Sequence, residues 1–386
     1  MTKPIIIVLT FLSIFFHACS EKNTTPIESE EALIDELQIL TNFEKRLKED
    51  VVEDKLGSVS ASIFKENEII WATAFGSANK ERGTLADTNT IYRTASISKS
   101  VTAFLMMLLV QEGIISLDDP IKEFLPEISN LKGGQTAAVN QITFRHLASH
   151  TSGLSREPDL EDAASGPIEE WEHKLINAIS YTNLNSLPGQ KYTYSNIGYG
   201  ILGLTLARAA GKPYTKLVDE MIFKPLKMTN SFFVIPQRNE AHVAAGYQWH
   251  PFTGVVDSEQ AILEHKGRGY KVPNGGIYST PNDLARFLMA HCGSSDLLSK
   301  ELLDIMHTIQ TPENNAYGYG LGFYIRNNDS GLKLIEHDGG VNGYNAYMVF
   351  SPDSQIGVVV MRNYNFGRTN IILQPRSVLY QLCKIK

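Results

Sequence analysis

The chain has 386 residues, a formal net charge of −7, 43% hydrophobic residues and 20% charged residues. That composition suits a soluble globular protein of one large domain or two ordinary ones. It offers no basic footprint for nucleic acid, and three cysteines are too few for a disulfide framework.

Lys3 precedes an apolar run from Pro4 to Phe16, which ends at His17-Ala18-Cys19. The run is shorter than the ~20 residues a membrane-spanning helix needs. It fits a secretory signal. The stretch Phe16-His17-Ala18-Cys19-Ser20 is similar to a bacterial lipoprotein box. That resemblance implies loss of residues 1–18, a lipid on the Cys19 thiol and a tether over residues 19–45. It also implies a lipid-anchored place in the cell envelope, facing the periplasm or exposed at the surface. An ordinary signal peptide with an incidental cysteine is the alternative. Residues 46–386 then form one domain.

Glu31 to Val51 has helical spacing of Leu33, Leu37, Leu40 and Phe43. Ser58 to Phe64 and Ile69 to Phe75 read as two strands joined as a hairpin through Lys65 to Glu68. A buried helix follows, opened by Ser96 and Lys99, with Val101, Phe104, Leu105, Leu108 and Leu109 at helical spacing and Gly113 as its stop. Thr143 to Gly153 reads as a short helix closed by a glycine turn, in which His146 and His150 are structural. Ser155 to Gly166 reads as an exposed loop. Pro188 to Asn196 is a turn and loop before a small-residue helix, Ile197 to Ala210, which Gly211 ends. Asn274 to Phe287 reads as a glycine turn and a helix capped near Thr280, with Pro281 at its first position. Tyr319 to Ile325, Lys333 to Glu336, Asn345 to Phe350 and Gln355 to Met361 read as strands. Strands at both ends and helices between them predict an α+β fold. An antiparallel sheet is built from the N- and C-terminal strands, with an inserted, mainly helical lobe and a cleft between the two.

On a helix, positions three apart share a face, so Lys99 can stand beside the Ser96 hydroxyl. The pattern Ser-x-x-Lys recurs at Ser62/Lys65, Ser77/Lys80, Ser129/Lys132 and Ser330/Lys333. Only Ser96 opens a long apolar helix. Taken alone, Ser96 can equally be a simple helix cap. There is no cysteine and histidine cluster with metal-ligand spacing, no Walker A and no G-x-G-x-x-G, so neither a metal nor another cofactor is expected.

Ser96-Ile97-Ser98-Lys99, Tyr194-Ser195-Asn196 and His337-Asp338-Gly339-Gly340, in this order, resemble the serine β-lactamase and DD-peptidase superfamily, in its class C-like branch. The likeness extends to Thr143–Leu154, Pro188–Gly211, Asn274–Phe287 and His337–Asn345. Tyr181-Thr182-Asn183 also fits the second motif, but the flanks of Tyr194 match the family setting. The resemblance implies that Ser96 is the nucleophile and that Lys99 and Tyr194 share its proton. Asn196 would position Lys99 or the substrate carbonyl. The backbone N–H groups of Ser96 and Gly340 would form the oxyanion hole, with Gly339 and His337 on the substrate side. The helix N-terminus and burial should lower the Lys99 pKa, and Lys99 should in turn lower that of Tyr194.

Penicillin-recognising relatives usually carry lysine where this chain has His337. A cation ~4 Å from a carboxylate is worth up to ~4 kcal/mol at an effective dielectric of ~20. Histidine, with an unperturbed pKa of ~6.5, supplies little of that at neutral pH, and would bind carboxylates better in acid. The expected function is therefore ester or peptide-like amide hydrolysis through an acyl-enzyme, of esterase or D-peptidase type, on a small-molecule or peptide substrate. A true β-lactamase, a transpeptidase and a non-catalytic cell-wall binder are the alternatives. Tyr247, Trp249 and Tyr270 either line the cleft or pack beneath its loops.

Overall fold

The computed structural model describes residues 26–133, 136–250, 252–254, 256–312, 316–327 and 331–385. The expected signal segment and Cys19 lie outside the described residues. Among the described residues, no helix is long and apolar enough to cross a membrane.

The chain opens with helix α1, Pro26–Asp54. This helix runs across residue 45, so the tether expected over residues 19–45 does not end in extended chain. Phe43 and Leu47 are buried against the sheet, and Lys65 reaches Glu36 at 2.6 Å. Of the spaced residues, Phe43 is buried and Leu40 partly so, while Leu33 and Leu37 are exposed, so the helix docks through its C-terminal half, Phe43, Leu47 and Val51.

Strand β1, Ser58–Lys65, and strand β2, Glu68–Asn79, form the expected hairpin, and β3, Thr84–Leu85, lies on its outer edge. Five more strands come from the far end of the chain: β4 Tyr317–Tyr319, β5 Tyr324–Asn327, β6 Lys333–Val341, β7 Tyr344–Ser351 and β8 Ile356–Arg362. The order in the antiparallel sheet is β3-β2-β1-β8-β7-β6-β5-β4. The two ends of the chain meet where β1 pairs with β8, with Val59 opposite Arg362 and Lys65 opposite Ile356.

Alternation sets the two faces of this sheet. Val59, Ala61, Ile63, Val358 and Val360 face α1 and the last helix, α6, Leu373–Leu382. Phe64, Val359 and Met361 face the other way, into the larger core. That core contains α2, Ser98–Gln111; α3, Phe144–Ala148; α4, Asn196–Ala210; and α5, Pro281–His291. Helix α2 is buried on every side from Ser98 to Leu109, as expected of a helix apolar all round.

Two expected strands differ from the observed ones. Tyr319 to Ile325 is not one strand but the end of β4, a turn and the start of β5. Gly322 has φ +85° in that turn, and a Cβ there would stand 2.6 Å from Ala103, so the chain bends against α2. Strand β6 runs on past Glu336 to Val341, which places His337 inside the strand rather than at its end. The Ser155–Gly166 loop is not wholly exposed, since Ala163 is buried and Gly166 lies against Gly267. Cys292 and Cys383 are both free.

A buried histidine pair sits behind α2. His291 Nδ1 lies 3.1 Å from His307 Nε2, among Phe104, Phe287, Phe323 and Phe350. Burial holds His291 down to about 3 and His307 well below the usual range. Both are neutral in the fold, whereas the unfolded chain binds their protons below pH ~6.5. Stability is therefore full above that pH and is lost as the pH falls toward the folded-state values. Urea unfolding from pH ~6 to ~4.5 is expected to lose about 1 kcal/mol per pH unit for each such histidine. His291→Gln, which does not titrate, should remove about one histidine's share of that slope.

Candidate active site

The turn that holds Ser96 is bent by its neighbour. Ala95 has φ +48°, a left-handed conformation that costs a residue with a side chain about 1–2 kcal/mol. The expected helix start is thus a tight turn, Ala95–Ile97, and α2 proper begins at Ser98. Ile277 clamps the turn from both sides. Its carbonyl accepts from the Thr94 N–H and from Thr94 Oγ1, each at 3.0 Å, and its N–H donates to Ser98 Oγ at 3.2 Å. Of residues 91–100, Ser96 alone is not fully buried, so its hydroxyl faces the cleft.

Lys99 is completely buried. Its Nζ donates to Ser96 Oγ at 3.1 Å and to the Asn274 carbonyl at 3.2 Å. It also lies 4.8 Å from the centre of the Tyr194 ring and 5.8 Å from that of Tyr199. Burial drives its pKa well below the usual lysine range; Glu157 opposes the shift, and Lys271, Arg156 and Arg268 add to it. A neutral amine beside a serine hydroxyl is the arrangement a nucleophile needs.

Tyr194 precedes the N-cap of α4, Ser195, whose Oγ accepts from the Gly198 N–H. Its phenol interacts with the Ser96 hydroxyl, yet burial raises its pKa above the ordinary tyrosine value. The expected lowering by Lys99 is therefore not found. A lysine kept neutral has no charge with which to stabilise a phenolate, so Tyr194 stays protonated at rest.

Asn196 makes no direct hydrogen bond to Lys99. Its Nδ2 donates to Glu157 Oε1 at 2.5 Å, and its carbonyl accepts from Asn274 Nδ2 at 2.7 Å. Its expected contact with Lys99 is thus made indirectly, through Asn274. Glu157 also accepts from the Tyr270 hydroxyl and from Lys271 Nζ. Burial pushes Glu157 up, but the Lys271 charge and these donors together outweigh it and hold the carboxyl below the usual range.

Strand β6 brings in the third motif. A Cβ on Gly339 would lie 2.1 Å from the Thr94 carbonyl oxygen, so only glycine lets the strand meet the Ser96 turn. Gly340 is exposed and lines a cavity of about 260 Å³ with Ser96, Asn196 and Asn274. His337 is buried. Its Nδ1 donates to the Asp338 carbonyl at 2.7 Å and its Nε2 accepts from the Tyr319 hydroxyl at 2.9 Å. Burial brings its pKa down to about 4. Both ring nitrogens are engaged, so the expected acid-side binding of carboxylates by His337 is not supported.

The Beta-lactamase family profile matches residues 42–378. The chain belongs to that family. It lies within the serine β-lactamase and transpeptidase-like superfamily, and its sheet and helical lobe are those of that fold. It is 26% identical to Protein flp of Staphylococcus aureus (strain N315) over 327 residues, 84% of this chain and 63% of the relative. The chain therefore spans less than two thirds of that relative's length. The octameric penicillin-binding protein homologue from Pyrococcus abyssi superposes with a TM-score of 0.74 at 28% identity, covering 88% of this chain and 77% of that one. A class C beta-lactamase superposes at 0.73 with 20% identity, over 90% and 96% of the two chains, which is a likeness of fold.

Several residues of the Beta-lactamase-family site were not marked in the sequence. Arg156, Glu157, Arg268, Lys271 and Asn274 all line the cavity with Ser96. Arg156, Glu157 and Arg268 come from loops, and Lys271 and Asn274 from two short helical turns, Gly269–Lys271 and Val272–Gly275, too brief to show a period; the one available sign was Asn274, inside a stretch that already resembled the family. Of the three aromatics left open, Tyr270 reaches the site through Glu157. Tyr247 is buried elsewhere, donating to Glu81 at 2.6 Å, and Trp249 packs against the α1 side of the sheet.

Glu157 works against the neutral form of Lys99. Glu157→Gln should lower the Lys99 pKa further. The rate of Ser96 labelling by a fluorophosphonate, followed against pH, is expected to keep its shape in the variant with its acid limb moved to lower pH. An acid limb that moves up or stays in place removes Lys99 as the group that titrates.

Proposed function

We propose that the protein is a serine hydrolase acting through an acyl-enzyme on ester or peptide-like amide bonds, in the manner of an esterase or a D-peptidase. The observation that carries the proposal is the 3.1 Å approach of a fully buried Lys99 Nζ to the Ser96 hydroxyl. In this reading the neutral amine takes the serine proton as Oγ bonds to the carbonyl carbon. The carbonyl oxygen gains the charge and faces the N–H groups of Ser96 and Gly340, each worth roughly 3 kcal/mol of barrier. The tetrahedral intermediate collapses, and Tyr194 gives its proton to the departing oxygen or nitrogen and is reprotonated from Lys99. Water then attacks the acyl-enzyme by the same route and frees Ser96.

The charge of the cavity supports a narrower substrate class. Its lining includes three cations, Arg156, Arg268 and Lys271, and one carboxylate, Glu157, in a chain of net charge −7. A substrate with a carboxylate near the scissile bond suits that lining. Turnover of penicillins is less favoured because neutral His337 offers no cation on β6. A purely binding role leaves unexplained why a lysine is desolvated against an accessible serine.

Profiling against p-nitrophenyl esters, D-amino-acid amides and muropeptides tests the proposal. Ester or amide turnover is expected. Ser96→Ala and Lys99→Arg should each lose about 10³-fold or more, since arginine does not release its proton. Substrates with a free carboxylate should exceed their amidated forms in kcat/KM. Efficient nitrocefin hydrolysis overturns the ranking of substrates, and activity that survives Ser96→Ala overturns the mechanism.

Envelope attachment through a lipid on Cys19 belongs to the same proposal and rests on the Lys3 to Cys19 pattern. In a bacterial host, Cys19→Ser is expected to move the protein from the membrane fraction to the soluble one. Unchanged membrane association argues against the lipid.

A further inference from the structure

His150 follows Ser149, the C-cap of α3, and it is completely buried. It has φ +60°, a left-handed conformation uncommon for a residue with a side chain. That conformation turns the peptide and the ring toward one short stretch of chain. The His150 carbonyl accepts from the Thr193 N–H at 2.8 Å, and its Nδ1 accepts from the Ser195 N–H at 3.0 Å. These are the two residues that flank Tyr194. The imidazole also lies against the Tyr194 ring, with centroids 4.2 Å apart. One residue thus fixes the peptide before Tyr194, the peptide after it and the face of its ring.

We infer that His150 is a positioning residue for Tyr194, holding the phenol in line with the Ser96 hydroxyl. This inference rests on the hydrolase reading above and assigns His150 a role in the reaction beyond closing a turn. The bond to Ser195 requires Nδ1 to be unprotonated, so Nε2 carries the hydrogen. Nε2 has no hydrogen-bond partner among the described residues. Burial above all, with the Arg156 cation nearby, keeps the ring neutral and Nδ1 an acceptor. A histidine that served packing alone would have no use for a buried ring nitrogen without a partner, and an aromatic hydrocarbon would fill the space. What histidine adds over phenylalanine is the acceptor for Ser195.

Three variants separate the acceptor from the ring. His150→Asn places an amide oxygen where Nδ1 stands and tolerates the left-handed backbone. His150→Phe keeps a ring and removes the acceptor. His150→Gly keeps the backbone conformation, removes both, and replaces His150→Phe if that variant does not fold. In the intact protein, the variant without an acceptor should lose about 10- to 100-fold in kcat with KM nearly unchanged, because the reacting group is misplaced and binding is not. His150→Asn should stay within about threefold of the wild type in kcat. In a Tyr194→Phe background, removing the acceptor should cost less than about twofold more, since the group being positioned is already gone.

A second measurement does not depend on turnover. Fluorotyrosine placed at position 194 should give one fluorine resonance in the wild type and in His150→Asn, and a shifted or split one when the acceptor is removed. If the wild type shows no Ser96-dependent turnover, the hydrolase reading fails and the fluorine resonance still decides whether His150 fixes Tyr194. An unshifted resonance overturns the inference. So does a full-sized kcat loss in the Tyr194→Phe background, or an Asn variant as impaired as the acceptor-free one.

Discussion

The site depends on the cost of keeping a lysine ammonium out of water. Lys99 stands in the first turn of a helix buried on every side, under the rings of Tyr194 and Tyr199. An unpaired charge in such a place costs several kcal/mol, so the amine gives up its proton instead. Glu157 is the one carboxylate that clearly resists this, and its own oxygens are occupied by Asn196, Tyr270 and Lys271. The nearby cations Arg156, Arg268 and Lys271 push the same way as burial. The positive field of the cavity therefore also favours the neutral form of Lys99.

A neutral lysine has a consequence for its neighbour. Burial acts on both groups at once, lowering Lys99 and raising Tyr194, and the Ser96 hydroxyl and Arg156, which pull Tyr194 down, do not offset it. At rest the pair is amine and phenol, not ammonium and phenolate. The division of roles follows from that: Lys99 can take a proton and Tyr194 can give one. Geometry then becomes the limiting factor, because a proton donor works only where its hydroxyl is aimed.

Much of the fold was legible because periodicity and burial coincide. The hairpin β1–β2, strands β7 and β8, and helices α4 and α5 follow from alternation or helical spacing with glycine, proline and Thr280 at the ends. The sequence failed where a distant contact overrides a local signal. His337-Asp338-Gly339-Gly340 reads as the end of a strand, but the strand runs on through it to Val341, and Gly339 lets it pass the Thr94 carbonyl. Tyr319 to Ile325 looks like one strand, but Gly322 bends the chain against Ala103. Ser96, Lys99 and Tyr194 were readable as motif residues. Glu157, Arg156 and Lys271 were not, since loops and a single 3₁₀ turn leave no period and their meeting depends on tertiary structure alone.

The position of His337 links these points. On a strand that faces the nucleophile, a residue with a permanent charge would draw an anionic group directly onto the sheet edge. Here the residue is an imidazole with its Nδ1 hydrogen spent on a carbonyl and its Nε2 occupied by the Tyr319 hydroxyl, so it stays neutral through the physiological range. Tyr319 itself lies against His150, ring centroids 4.8 Å apart, and His150 lies against Tyr194. Charging His337 would reverse its hydrogen bond to Tyr319 in the middle of that aromatic stack. A neutral histidine therefore supports the ring system around Tyr194, while the positive groups of the cavity beside Ser96 are Arg156, Arg268 and Lys271. Arg156 and Arg268 sit on loops and Lys271 on a short 3₁₀ turn, all outside the sheet, the turn at Ser96 and the helix that carries the buried amine.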